Sequence, residues 1–168
     1  MKKTLTLVLF LGIVSALSGL CIGFVNGITA PIIEANMLKA EQENLELMYP
    51  AKTFNKIEYQ GDDKNILGIY EVENEAYIVK AQGFGYSSTP IVALVGFDLE
   101  GKTTGVVILS NQETNGFGSR CFEEDFILNA YVGKGLNDDI DMISGATFTS
   151  EAMKNIIAIS RNAILELL

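Results

Sequence analysis

Apolar side chains run almost unbroken from Leu5 to Val25, and no charged residue occurs over the 30 positions from Thr4 to Ile33. A helix crosses the hydrocarbon core with about 20 such residues. The pattern therefore predicts one membrane-spanning helix. From Ile32 to Met48 the spacing becomes helical and two-faced. Ile32, Ala35, Leu38, Leu45 and Met48 can share one stripe, with Glu34, Lys39, Glu41, Glu43 and Glu46 on the wet side. Pro31 is a place where the helix can kink, and Pro50 ends the second segment.

Beyond Pro50 the pattern shortens to strand length. Residues 55–64 are polar and turn-rich, with Gly61-Asp62-Asp63 as the clearest break. Ile66–Val72 and Glu75–Ala81 flank Glu73-Asn74, which predicts a hairpin. Ile91–Asp98 and Thr103–Leu109 flank Leu99-Glu100-Gly101-Lys102, a second hairpin. Both of the latter strands are nearly all apolar, the mark of central strands covered on both faces. An irregular stretch, Ser110–Gly118, leads to a helix near Cys121–Asn129 and a loop over 131–143. A final helix from about Ser150 to Leu168 presents Met153, Ile156, Ile157, Ser160, Ala163, Ile164 and Leu167 on one face. The predicted architecture is a cytoplasmic tip and membrane anchor over 1–30, a membrane-proximal helix over 31–50, and one exported α+β domain over 51–168.

Charge sharpens this division. The 168 residues hold 12 basic and 21 acidic side chains and no histidine. Lys2 and Lys3 are the only charges before Glu34, so the first segment carries +2; the remaining 10 basic and 21 acidic groups give −11. The positive-inside rule keeps the lysines cytoplasmic and sends the acidic body across. A cleaved signal is disfavoured because Pro31 follows Ile28-Thr29-Ala30. A lipoprotein signal is disfavoured because Leu20 precedes Cys21. Gly12, Ala16, Gly19 and Gly23 recur at the spacing of helix contacts in membranes, although such residues are common there anyway. The acidic body argues against nucleic acid. The missing histidine excludes Ser–His–Asp catalysis and His-ligated zinc or haem. Cys21 and Cys121 fall in different segments and form no Cys-x-x-Cys pair, so neither a disulfide nor a metal site of this chain alone is expected.

Three runs can carry chemistry. Asp141-Met142-Ile143-Ser144-Gly145-Ala146-Thr147-Phe148-Thr149-Ser150 places small residues and hydroxyls ahead of a helix, as a phosphate site requires. Helix capping by Ser or Thr explains the same residues. Glu113-Thr114-Asn115-Gly116-Phe117-Gly118 brackets an aromatic with glycines, which suits either a flat ligand or an ordinary turn. Gly83-Phe84-Gly85-Tyr86-Ser87-Ser88-Thr89-Pro90 shapes a pocket or ends a strand.

The order of these runs, with Asp98-Leu99-Glu100-Gly101-Lys102 between them, resembles one family along nearly the whole chain. It is similar to the exported FMN-binding subunit of membrane redox pumps. That subunit is the G subunit of the Rnf complex or its relative, the C subunit of sodium-pumping NADH:quinone reductase. Asn26-Gly27-Ile28-Thr29-Ala30-Pro31-Ile32 and the short body favour the Rnf relative.

The resemblance implies a single FMN-binding domain with a mostly antiparallel sheet and flanking helices. In this family Ser144-Gly145-Ala146-Thr147 matches the flavinylation signature, and FMN is joined through a phosphoester to Thr147, with Thr149 as the lesser candidate. Ser144, Gly145 and Ala146 would shape the phosphate site; Glu113, Thr114, Gly116 and Gly118 would line the flavin pocket. The family usually has proline where this chain has Asn115, which bears on the shape of that loop. The resemblance further implies a redox subunit with no catalytic side chain of its own, matured by a flavin transferase. Iron–sulfur and flavin subunits of an ion-translocating ferredoxin:NAD oxidoreductase would be its partners. A rival of another class is a membrane-anchored binding or scaffolding protein in which Ser144–Ser150 is only a helix cap.

Overall fold

The computed structural model describes residues 2–135 and 138–167. The expected outer ends, Met1 and Leu168, and Leu136 and Asn137 of the expected loop, lie outside the described residues. Contacts divide the chain into one unit up to Gln42 and a second from Glu43 onward.

The first unit is helical from Lys2 onward. Helix α1 runs over Lys2–Met48, 47 residues, and continues through Pro31. The two predicted helices are thus one. Its apolar side chains, Leu5 to Ile33, are exposed, and the helix is long and apolar enough to cross a membrane. Two hydroxyls are returned to the helix itself: Ser18 Oγ donates to the Val14 carbonyl at 2.9 Å and Thr29 Oγ1 to the Val25 carbonyl at 3.0 Å. Such back-bonding satisfies these two hydroxyls within the helix itself.

The second unit is a five-stranded antiparallel meander, β1 (Phe54–Ile57), β2 (Ile66–Val72), β3 (Ala76–Gly83), β4 (Ile91–Asp98) and β5 (Thr103–Ser110), in sequence order across the sheet. Its helices are α2 (Glu124–Ala130), preceded by a 3₁₀ turn over Gly118–Phe122, and α3 (Thr147–Leu165). Both predicted hairpins form. Glu73 (φ 46°) and Asn74 (φ 57°) both sit in the left-handed region, as a two-residue turn matching strand twist requires. The second turn uses Gly101 at φ 78°, while Asp98 Oδ1 accepts from the N–H groups of Glu100 and Lys102 at 3.0 and 2.8 Å.

Three expectations are corrected. Phe54–Ile57 lies in or beside the polar stretch read as turn, yet pairs with β2 as a short edge strand. β5 is not central: it is the other edge, and only β4 of the apolar pair is buried along nearly its whole length. Leu167, assigned to the buried face of the last helix, is 40% exposed and follows the end of α3.

The core lies on both faces of the sheet. On one, Met153, Ile156, Ile157, Ala163 and Ile164 of α3 pack against Val79, Ala81, Ile91, Ala93, Val95 and Phe97. α3 packs tightly on Gly83, where a Cβ would meet Ile156 Cγ1 at 2.9 Å. On the other, Leu45 at the end of α1 packs with Val72, Ala76, Ile78 and Leu94, flanked by Met48 and Tyr49. Arg161, 5% exposed, projects from α3 over the Phe97 ring. It donates to the carbonyls of Gly101 and Lys134, at 2.9 Å each, and to Thr103 Oγ1 at 3.1 Å. The second hairpin and the segment after α2 are thereby tied to the last helix.

Candidate functional site

The first turn of α3 is the base of the site. The helix begins at Thr147, three residues before the expected start, with Ala146 as its N-cap and no side-chain cap bond. Ser144, Thr147, Thr149 and Ser150 therefore do not cap it. The Ser150 N–H is the first to find an intrahelical carbonyl, that of Ala146 at 2.9 Å. The N–H groups of Thr147, Phe148 and Thr149 precede that bond and remain available to an acceptor. Gly145 makes the entry turn at φ 83°, and a Cβ there would meet nothing within 4 Å. Small residues, an uncapped helix end and open space coincide.

The two candidate threonines are treated differently. Thr147 is exposed and lines a half-open cleft of about 240 Å³. Thr149 is 1% exposed and donates its hydroxyl to Glu113 Oε2 at 2.7 Å. Ser150 is fully buried and also committed. Its Oγ accepts from the Ile143 N–H at 3.1 Å and lies 3.3 Å from Cys121 Sγ. Burial pushes the Cys121 thiol up from its ordinary value, the behaviour of an inert filler.

Glu113 joins the walls. It follows β5, is 7% exposed, and accepts from the Ser87 and Tyr86 N–H groups at 3.0 and 3.4 Å as well as from Thr149. Its approach depends on two glycines. A Cβ on Gly118 would stand 2.7 Å from both Glu113 Oε2 and Thr149 Oγ1, and one on Gly85 would stand 2.7 Å from Glu113 Oε1.

Three aromatic rings complete the cleft. Tyr86, Phe117 and Phe148 line it and are 75%, 61% and 64% exposed. Tyr86 and Phe148 stand 6.3 Å apart between centroids, tilted by 46°. Exposed rings on three separate segments are unfavourable in water unless a partner covers them. A flat, partly apolar ligand suits such walls.

Of the residues singled out from the sequence, Glu113, Thr114, Gly118, Gly145, Ala146, Thr147 and Thr149 meet on this cleft. Ser144 and Gly116 do not line it. Gly116 instead shapes the loop, at φ 78°, with its N–H bonded to Ser119 Oγ at 2.9 Å. Asn115 is exposed on the same loop. The sequence reading singled out Phe117 only as the aromatic between two glycines, and it missed Tyr86 and Phe148 as individuals. The signal was an aromatic beside glycine for Tyr86 and Phe117, whereas Phe148 stands between two threonines and had no signal beyond its place in a flagged run.

The residues present fit FMN: free backbone donors at a helix N-terminus for a phosphate, an exposed hydroxyl beside them, and rings for the flat heterocycle. A search of curated proteins gave no match. Residues 85–160, which contain every residue of the cleft, match the family model of the FMN-binding domain, and this points to a role in flavin electron transfer.

Proposed function

We propose that this chain is the membrane-anchored, FMN-carrying electron-transfer subunit of an Rnf-type ion-translocating ferredoxin:NAD oxidoreductase. In this reading FMN is joined by a phosphoester to Thr147. The observation that carries it is the pairing of an exposed Thr147 hydroxyl with an uncapped helix end, while Thr149 is buried and bonded. When bound, FMN supplies the electron transfer that protein side chains cannot.

The chain's own groups have limited tasks. The N–H groups of Thr147, Phe148 and Thr149 hold the phosphate, aided by the helix dipole. Tyr86, Phe117 and Phe148 hold the ring system and shield it from water. Glu113 holds the loop around Tyr86 and the first turn of α3 at fixed separation. α1 anchors the domain, with Lys2 and Lys3 on the cytoplasmic side and the acidic body outside. A flavin transferase matures it, and iron–sulfur and flavin subunits of the complex exchange electrons with it. The C subunit of a sodium-pumping quinone reductase is the neighbouring reading; gene neighbours encoding ferredoxin-linked iron–sulfur subunits separate the two.

The test is intact mass and in-gel flavin fluorescence of the chain expressed with and without an active flavin transferase. The expected result is a gain of one FMN less water, lost in Thr147→Ala and kept in Thr149→Val. An unmodified chain beside an active transferase, or a modification that survives Thr147→Ala, overturns the proposal.

A further inference from the structure

The cleft has one charged side chain on its wall, and it is negative. Among the described residues lining it, Glu113 is the one acidic side chain, and no lysine or arginine lines it. Glu113 is more than nine-tenths buried. Both its oxygens accept hydrogen bonds, from the N–H groups of Tyr86 and Ser87 and from the Thr149 hydroxyl. Three donors pointing at two oxygens suit the carboxylate form, which only accepts. No ion pair to Glu113 occurs among the described residues. A buried charge with dipoles but no counter-ion keeps its field, because neither salt nor water screens it well.

From this arrangement, and resting on the FMN reading above, we infer that Glu113 tunes the reduction potential of the flavin and holds it low. Reduction adds electrons to the ring system. A fixed negative charge on the wall makes that addition less favourable, while the oxidised form is little affected. The aromatic walls strengthen the effect by excluding water from the space between. Glu113 also fixes the Tyr86 loop, so charge and position must be separated by experiment.

Two variants do this. Glu113→Gln removes the charge and keeps the shape. Thr149→Val keeps the charge and removes the O–H group that partly neutralises it. A purely structural role moves both variants in one direction; an electrostatic role moves them in opposite directions. The full chain is produced in detergent with an active transferase, and intact mass records flavin loading. Dithionite then supplies electrons, itself going to sulfite, and absorbance is read against a reference dye of known potential. In Glu113→Gln the ratio of reduced to oxidised flavin at fixed potential is expected to rise about tenfold. In Thr149→Val the ratio falls. A loaded Glu113→Gln with an unchanged or lowered ratio, or two loaded variants that shift in the same direction, overturns the inference. Should that variant fail to fold or load, Thr149→Val decides alone: a fall supports the inference, and no change or a rise overturns it. A wild-type chain that acquires no flavin overturns the functional reading and this inference together, and the mass measurement identifies that case.

Discussion

Thr149 and Glu113, 36 residues apart in the chain, are joined by a 2.7 Å hydrogen bond from hydroxyl to carboxylate, and both are buried. The bond ties the start of the last helix to the loop after β5. It also spends one of the two threonine hydroxyls on structure and leaves the other on the cleft.

Thr149→Val is expected to lower stability by about 1.5–3 kcal/mol, the value of a hydrogen bond to a charged group. Thr147→Val, at an exposed position, should change it by less than about 0.5 kcal/mol. Chemical denaturation of the full chain in detergent compares them. Equal losses in the two variants would contradict the assignment of Thr149 to the clamp.

Gly96 and Gly105 lie under the end of α1 and differ in room. A Cβ on Gly96 would stand 2.7 Å from Thr104 Oγ1, 3.0 Å from Met48 Cε and 3.3 Å from the Tyr49 hydroxyl; on Gly105 the nearest atom is Met48 Cε at 3.5 Å. Tyr49 and Thr104 hydroxyls are themselves 2.6 Å apart. Gly96→Ala should therefore cost about 1–3 kcal/mol by overpacking, and Gly105→Ala far less. Melting temperatures of the two variants decide, and the reverse order would sink the packing argument.

Tyr131 is fully buried, packs edge-on to Phe126 at 5.5 Å between centroids, and its hydroxyl has no hydrogen-bond partner among the described residues. Tyr131→Phe keeps the ring contact and removes an unsatisfied polar group. The expected result is a gain of up to about 1 kcal/mol. A clear loss on thermal unfolding would mean that the hydroxyl has a partner, such as a bound water.

The pH dependence follows from the same region. Burial raises the acid groups of Cys121 and Tyr131 above their ordinary values of 9.0 and 10.0. A raised group is held neutral in the folded state, so its contribution is complete below the ordinary value and is lost as pH rises through the folded one. Stability should decline above about pH 9. The decline should be shallower in Cys121→Ala and shallower again with Tyr131→Phe added. Denaturation midpoints between neutral and strongly alkaline pH test this; identical slopes in all three chains would refute it.

Local rules made much of this legible. Glu73-Asn74 and Gly101 place their hairpins because few residues accept left-handed backbone, and thirty uncharged residues force a helix long enough to cross a membrane. Phe54–Ile57 was missed because four residues, two of them polar and exposed, carry no alternation that separates an edge strand from a turn. β5 was misplaced because apolar composition reports burial without reporting which strand lies beside it. The start of α3 was set late because its cap is Ala146, and alanine gives no capping signal. The residues of the cleft could be flagged one run at a time, but Tyr86, Phe117 and Phe148 became a wall only through tertiary placement. Aromatic residues are more often core than surface, and nothing local marks these three as exposed.

The meander has a consequence for the order of events after synthesis. Each strand pairs with the one just before it, so the sheet can grow strand by strand as the chain emerges, with little loop-closure entropy to overcome. The cleft cannot. Its walls come from Tyr86, from Glu113 to Gly118 and from Gly145 to Thr149, and the last group is aligned only when α3 docks through Met153, Ile156, Ile157 and Ile164. The pocket is thus a timer that runs out at the final helix. A chain cut between Thr149 and Met153 would contain every wall residue and none of these four docking side chains, so the cleft depends on the completion and docking of the last helix.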